Sequence, residues 1–275
     1  MWTARRGAAL GFTVVVIGAV LAWFTVRAIE RHTPGCVITA VPGAGSSAVR
    51  LTPEQADNAA TIAGVGRRLG MPDHAVTVAL ATAMQESRLR NLAGGDRDSA
   101  GLFQQRPSEG WGTHAQIVDP VHATTAFYER LKTLPGWKQL SVTEAAQDVQ
   151  HSATPDAYAQ WEPQSRAIAS ALTGERAQAL SCHDLSIQAS SASLVPTAIA
   201  ELGDARLSGA HDPVSGWAIG SWLVAHAARL GVDQVTFNGT TWTAASGTWS
   251  NTGSADGRLS LRLGHPQTRN TAAER

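Results

Sequence analysis

Residues 76–107 read VTVALATAMQESRLRNLAGGDRDSAGLFQQRP, and the fold turns on how this stretch is parsed. Its first part belongs to a run free of Gly and Pro from about 73 to 89, which predicts a helix. Val76, Ala79, Leu80 and Ala83 recur at helical spacing and form an apolar stripe. Glu86 follows Ala83 by three residues and Ala79 by seven, so it lies along the same face. An ionisable group on an apolar face breaks the local pattern, and such breaks are where function is expected. Apolar neighbours penalise the charged carboxylate, and so does the negative end of the helix dipole one turn away. Both effects raise the pKa, which suits a general acid that keeps its proton until a leaving oxygen takes it. The competing reading is a solvated or salt-bridged glutamate beside Arg88 and Arg90.

After the helix, Gly94-Gly95 break the chain, the polar run Asp96-Arg97-Asp98-Ser99 follows, and then Gly101-Leu102-Phe103-Gln104-Gln105. Gly101 would let backbone approach a ligand closely. Gln104 and Gln105 offer the paired donors and acceptors that sugar amides and hydroxyls require. At these residues the chain resembles a known family. Gln85-Glu86-Ser87, followed by Ser99-Ala100-Gly101-Leu102-Phe103-Gln104, is similar to the Glu-Ser and Gly-Leu-Met-Gln motifs of the lysozyme-like superfamily. The nearest branches are the lytic transglycosylases and goose-type lysozymes, and the similarity covers roughly residues 51–173. The resemblance implies that Glu86 is the catalytic acid and that Ser87, Ser99, Gly101, Gln104 and Gln105 shape a glycan cleft. Tyr158 resembles the family's cleft tyrosine loosely, because Ala159-Gln160 stand where the family carries Asn and Gly. Gln147 or Gln150 is then the alternative for the inner wall. Trp111, in the turn-rich loop Arg106-Pro107-Ser108-Glu109-Gly110-Trp111-Gly112, is read either as a sugar-stacking platform or as packing under its loop.

The mechanism turns on a second carboxylate. Most glycoside hydrolases pair two, whereas the resemblance to lytic transglycosylases implies one Glu acting first as acid and then as base on the muramyl 6-hydroxyl. Asp96 and Asp98 are the only acids close after Glu86 and are the second-carboxylate candidates; both also fit a solvated loop or a pairing with Arg97.

The rest of the chain sets the context. At 275 residues it can hold one large domain or two modest ones, and its net charge of zero leaves no nucleic-acid footprint. Residues 7–26 carry no charge and match the ~20 residues a bilayer core requires of a helix. Arg5 and Arg6 precede this run, and Arg27 and Arg31 follow it, diluted by Glu30, which favours a cytoplasmic N-terminus. A cleaved signal peptide would have a shorter apolar core, and VRAIERHTPG offers no good cleavage site. Residues 1–32 are therefore read as tip and membrane anchor and 33–50 as a Pro-, Gly- and Ser-rich linker. Cys36 and Cys182 stand on either side of the lysozyme-like region and suggest an extracytoplasmic disulfide across it; the alternative is two unrelated thiols. Two separated cysteines and nine histidines without ligand spacing give no metal site, and no cofactor is implied.

Pro53 after Thr52 starts a helix that ends near Gly70; Asp119-Pro120 and Ser141 start two more, and Pro155 opens a long one to about Leu172. Residues 186–196 read as a second linker, 197–263 as a small module and 264–275 as a disordered tail. In the module, residues 215–230 are an apolar helix, Asn238-Gly239 marks a hairpin, and 258–263 a strand. Its tryptophans, Trp217, Trp222, Trp242 and Trp249, are read as core or as a carbohydrate- or partner-binding surface.

The expected architecture is thus mainly α: an N-terminal transmembrane helix, an all-helical lysozyme-like domain over 51–185 and a small C-terminal α+β module. This layout resembles membrane-tethered proteins of actinobacteria. The expected partners are peptidoglycan glycan strands, the membrane through the N-terminal helix, and an envelope protein through the C-terminal module. The expected function is a single-pass, extracytoplasmic enzyme cleaving glycan strands. The alternative is a non-catalytic peptidoglycan-binding or scaffold protein of a cell-envelope complex.

Overall fold

Ten consecutive residues of one helix, Ala75 to Met84, are buried. This helix, α2 (Asp73–Ser87), is wrapped on every side by α1 (Pro53–Arg68), α4 (Pro120–Thr133), α5 (Val142–Gln150) and α6 (Glu162–Leu172). A helix apolar all round is a core helix, so its pattern is broader than the single stripe its spacing predicts. Four alanines let neighbouring helices approach, and Thr77 and Thr82 satisfy their hydroxyls on the carbonyls of Asp73 and Val78 within the helix. The computed structural model describes residues 33–39, 47–152, 154–187 and 193–264.

The helix starts follow local chemistry. Thr52 Oγ1 accepts from Gln55 N while Gln55 Oε1 accepts from Thr52 N, and Pro53 fills the first helical position of α1. Asp119 caps α4 and Ser141 caps α5 with Glu144 in reciprocal contact. The short α3 (His114–Ile117) precedes α4. The single helix expected from Pro155 is corrected. The chain makes a 3-10 turn over Pro155–Trp161 and becomes α-helical only at Glu162.

Two sheets flank the helices. Strand β1 (Gly35–Ile38) lies between β2 (Val49–Leu51) and β3 (Leu180–His183), all antiparallel. Cys36 pairs with Cys182 across β1 and β3, and the two are joined in a disulfide. Further on come α7 (Leu194–Leu202), β4 (Gly209–Ala210), α8 (Pro213–Ala225) and α9 (Ala227–Leu230). They are followed by β5 (Val232–Phe237), β6 (Thr240–Thr243), β7 (Trp249–Asn251) and β8 (Arg258–Leu263). The second sheet has the order β4-β8-β5-β6-β7, and Asn238 and Gly239 turn the β5–β6 hairpin at φ 51° and 78°.

Helix α8 packs on α1, α6, β3 and β5. The tryptophans fasten this packing: Trp242 Nε1 donates to Cys182 O at 3.1 Å and Trp249 Nε1 to Leu180 O at 2.8 Å. Trp217, Trp222 and Trp242 are buried and therefore offer no open face to a sugar. Beside them lies a charge cluster. His226, at the break between α8 and α9, is fully buried; its ring nitrogens meet Asp57 of α1 and Glu201 of α7. Arg229 donates to both Asp57 oxygens at 2.9 and 3.0 Å, and Trp222 Nε1 donates to Glu201 at 2.8 Å. Burial pushes both carboxyls up, but His226 and Arg229 outweigh it and hold them below the ordinary range. Burial alone would lower the His226 pKa, but Glu201 and Asp57 outweigh it and raise it from 6.5 to about 9.

The expected mainly α architecture, with an all-helical domain over 51–185, is corrected: the described residues form an α+β fold with two antiparallel sheets. Two strands come from the stretch read as linker, and β3 falls inside the range expected to be helical. Strands of three or four residues are too short to show an alternating pattern, and their partners lie far along the chain. No helix among the described residues is long and apolar enough to cross a membrane. The expected transmembrane helix over 7–26 lies outside the described residues, as do 188–192 of the second linker and 265–275 of the tail.

Replacing both Cys36 and Cys182 by Ala lowers unfolding free energy by about 2–5 kcal/mol, since the bridge closes a loop of 146 residues. Denaturant melts of the variant and the oxidised protein measure this; equal midpoints would refute it. The raised His226 pKa stabilises the fold fully below 6.5, and that contribution is lost as pH rises through about 9. Thermal midpoints therefore fall across this window. In Glu201→Gln the loss moves to lower pH, with about 3 kcal/mol less stability at neutral pH.

Candidate active site

Glu86 stands in the last turn of α2, where the helix leaves the core. The stop is sharp: Arg88 and Leu89 both adopt left-handed backbone at φ 57°. Their carbonyls accept from Gln55 Nε2 and Asn58 Nδ2 of α1, each at 2.9 Å. The carboxyl of Glu86 is half-buried, and Tyr158, fully buried on the 3-10 turn, donates its hydroxyl to Oε1 at 2.8 Å. Gln150, the last residue of α5, lies close enough to lower the Glu86 pKa, and its Nε2 donates to Phe103 O at 2.7 Å.

Burial raises the Glu86 pKa above its ordinary value; the bonds from Tyr158 and Gln150 and the charge of Arg106 pull the other way and do not cancel it. The Tyr158 phenol is pushed up as well, by burial first and by Glu86 second, so it stays a donor. The result is a carboxyl that keeps its proton to a higher pH than usual and finds hydrogen-bond donors waiting once it ionises.

Asp96 is exposed and pairs with Arg106 at 3.2 Å. Asp98 is exposed and accepts from Ser108 N at 2.9 Å and Ser108 Oγ at 3.0 Å, bonds that lower its pKa. Neither is among the groups that shift Glu86.

The remaining motif residues build the wall behind the acid. Ser87 turns inward, donating to Leu102 O at 2.7 Å and Ala83 O at 3.1 Å, and so joins the helix to the second motif. Ser99 Oγ bonds Gln104 Oε1 at 3.1 Å, and Gln104 Nε2 returns to Gly101 O at 3.1 Å. Gln105 is buried and donates to Ala123 O at 3.2 Å. Gly101, at φ 77°, meets protein and not ligand: a Cβ there would sit 2.3 Å from Ile117 O. Trp111 is 9% exposed, under its loop, with the Arg130 guanidinium 4.9 Å over its ring. Gln147 donates to Ser152 O at 2.9 Å.

Two residues outside the predicted set join the site. Arg106 supplies the positive charge near Glu86. Trp161 Nε1 donates to Gln85 Oε1 at 2.8 Å, on the same 3-10 turn as Tyr158. Side chains three apart eclipse in such a turn, so Tyr158 and Trp161 reach consecutive residues, Glu86 and Gln85. That spacing was the available signal, and an α-helical parsing hides it. Two cavities of about 310 and 440 Å³ border α1 elsewhere, and Glu86 lines neither.

No protein-family model matches the chain, and no curated protein matches it.

Tyr158→Phe removes a bond that favours the ionised acid, so the Glu86 pKa rises further. Carboxyl carbon NMR titration of the two proteins checks the sign; a lower value in the variant would contradict the assignment of Tyr158 as donor to the carboxylate.

Proposed function

We propose that this protein cleaves peptidoglycan glycan strands outside the cytoplasm, by lytic chemistry with Glu86 as the single acid and base. The reading is carried by one observation: a half-buried carboxyl at the end of a core helix, its pKa raised by burial, receives a bond from a buried tyrosine hydroxyl. The likeness of the two motifs to lysozyme-like enzymes supports the substrate class. The Cys36–Cys182 disulfide supports an oxidising, extracytoplasmic compartment.

In the proposed reaction, protonated Glu86 gives its proton to the glycosidic oxygen as the bond to the anomeric carbon breaks. The sugar ring takes on oxocarbenium character. The carboxylate left behind is stabilised by Tyr158, Gln150 and the charge of Arg106. It then takes the proton of the 6-hydroxyl as that oxygen closes on the anomeric carbon, giving a 1,6-anhydro end. No water and no opposing carboxylate is required. The outward ties of Asp96 and Asp98, to Arg106 and Ser108, favour this over hydrolysis through a pair of carboxylates.

A second reading, a non-catalytic peptidoglycan-binding protein, is favoured by the inward bonds of Gln104 and Gln105. Digestion of purified peptidoglycan separates the two. The catalytic reading expects anhydro-muramoyl ends, a rate that falls as pH rises through the Glu86 pKa, and a loss of about 10²–10⁴-fold in Glu86→Gln with the fold retained. Products with reducing ends alone would remove the lytic version, and strand binding without cleavage would leave the second reading.

A further inference from the structure

Arg88 closes α2 two residues past Glu86, with backbone at φ 57°, a conformation glycine would adopt without steric cost. Its side chain is exposed, and its guanidinium carbon lies 4.0 Å over the centre of the Trp161 ring. The ring is itself held, since Trp161 Nε1 donates to Gln85 Oε1, which also accepts from Gln160 at 3.4 Å. A flat, always-charged donor fork is thus laid on a fixed aromatic plane.

The other cations of this region have protein partners. Arg106 binds Asp96 and Glu109 and bears on Glu86, and Arg90 Nε donates to Ser87 O at 3.4 Å. Among the described residues no carboxylate lies within ion-pair distance of Arg88, and Arg88 is not among the groups that shift Glu86. Its charge is therefore not used to tune the acid, and within the fold it meets the Trp161 ring and no carboxylate.

We propose that Arg88, seated on Trp161, binds a carboxylate carried by the muramyl units of the strand, beside the bond on which Glu86 acts. The placement of the ligand rests on the glycan-cleaving reading above. The two N–H groups on one edge of the guanidinium match the two oxygens of a carboxylate, and the indole limits the entropy lost on binding. The carboxylate is either that of the stem peptide or that of the lactyl group, and both present the same chemistry to Arg88.

The test uses the full chain and two pairs of substrates: strands with free stem-peptide carboxylates, whose lactyl carboxyl is tied up in the amide to the peptide, and strands stripped of peptide so that the lactyl carboxylate is free, each beside the same strands with carboxylates converted to amides. Cleavage is measured as kcat/KM, and binding is measured with Glu86→Gln protein. The expected preference for acidic over amidated strands is about tenfold, and Arg88→Gln reduces it to near one through KM. Arg88→Lys, which keeps the helix-end charge but not the fork, falls between. A preference on the peptide-bearing pair assigns the carboxylate to the peptide, and one confined to the stripped pair assigns it to the lactyl group. An acidic-to-amidated ratio that is one on both pairs in the parent protein, or is unchanged in Arg88→Gln, overturns the proposal. Glu86-dependent cleavage with an unchanged ratio removes the subsite and leaves the catalytic reading. Discrimination in binding without any cleavage removes the catalytic reading and leaves the subsite.

Discussion

The burial of α2 from Ala75 to Met84 is the constraint on which the rest of the structure depends. A helix with no solvent face must be enclosed, and α1, α4, α5 and α6 enclose it. Its small side chains set how closely they approach. Where the enclosure ends, the helix carries Glu86, so the acid meets apolar surroundings on one side and hydrogen-bond donors on the other. A carboxyl one turn earlier would be buried without relief. The raised pKa follows from that position and requires no opposing carboxylate.

The same economy explains the motif residues. Ser87, Gln104 and Gln105 are polar side chains whose bonds run to backbone of the loop after α2 and of α4. They hold Phe103 and the loop against the helix, and Phe103 stacks on Phe127 of α4 at 4.7 Å. Gln150 uses the carbonyl of Phe103 as its own support and so arrives beside Glu86 already oriented. The acid is thus served by residues two steps removed from it.

The C-terminal half is fastened to this assembly by polar contacts inside an apolar interface. Three carriers of charge and one indole, Asp57, His226, Glu201 and Trp222, meet where α1, α7 and α8 converge. A buried imidazolium between two carboxylates is tolerated because every member is bonded, and it fixes the relative placement of three helices more narrowly than apolar packing does. The indole bonds of Trp242 and Trp249 to β3 do similar work next to the disulfide. The sheet there owes its position to both.

What the sequence by itself determined is the chemistry that closes within a few residues. The caps of α1, α4 and α5, the Asn238-Gly239 turn and the strand at 258–263 depend on neighbours no more than four positions away, or on backbone preferences of single residues. Glu86 was legible for the same reason, as one acid out of place on an apolar run. Only the tertiary structure decided which polar side chains face the acid and which face inward, because those bonds join residues far apart: 15 for Ser87 to Leu102, 47 for Gln150 to Phe103, 72 for Tyr158 to Glu86, 169 for His226 to Asp57. It decided the strands β1 to β3 as well, since segments of three or four residues carry no period of their own and become strands by pairing across the closed chain.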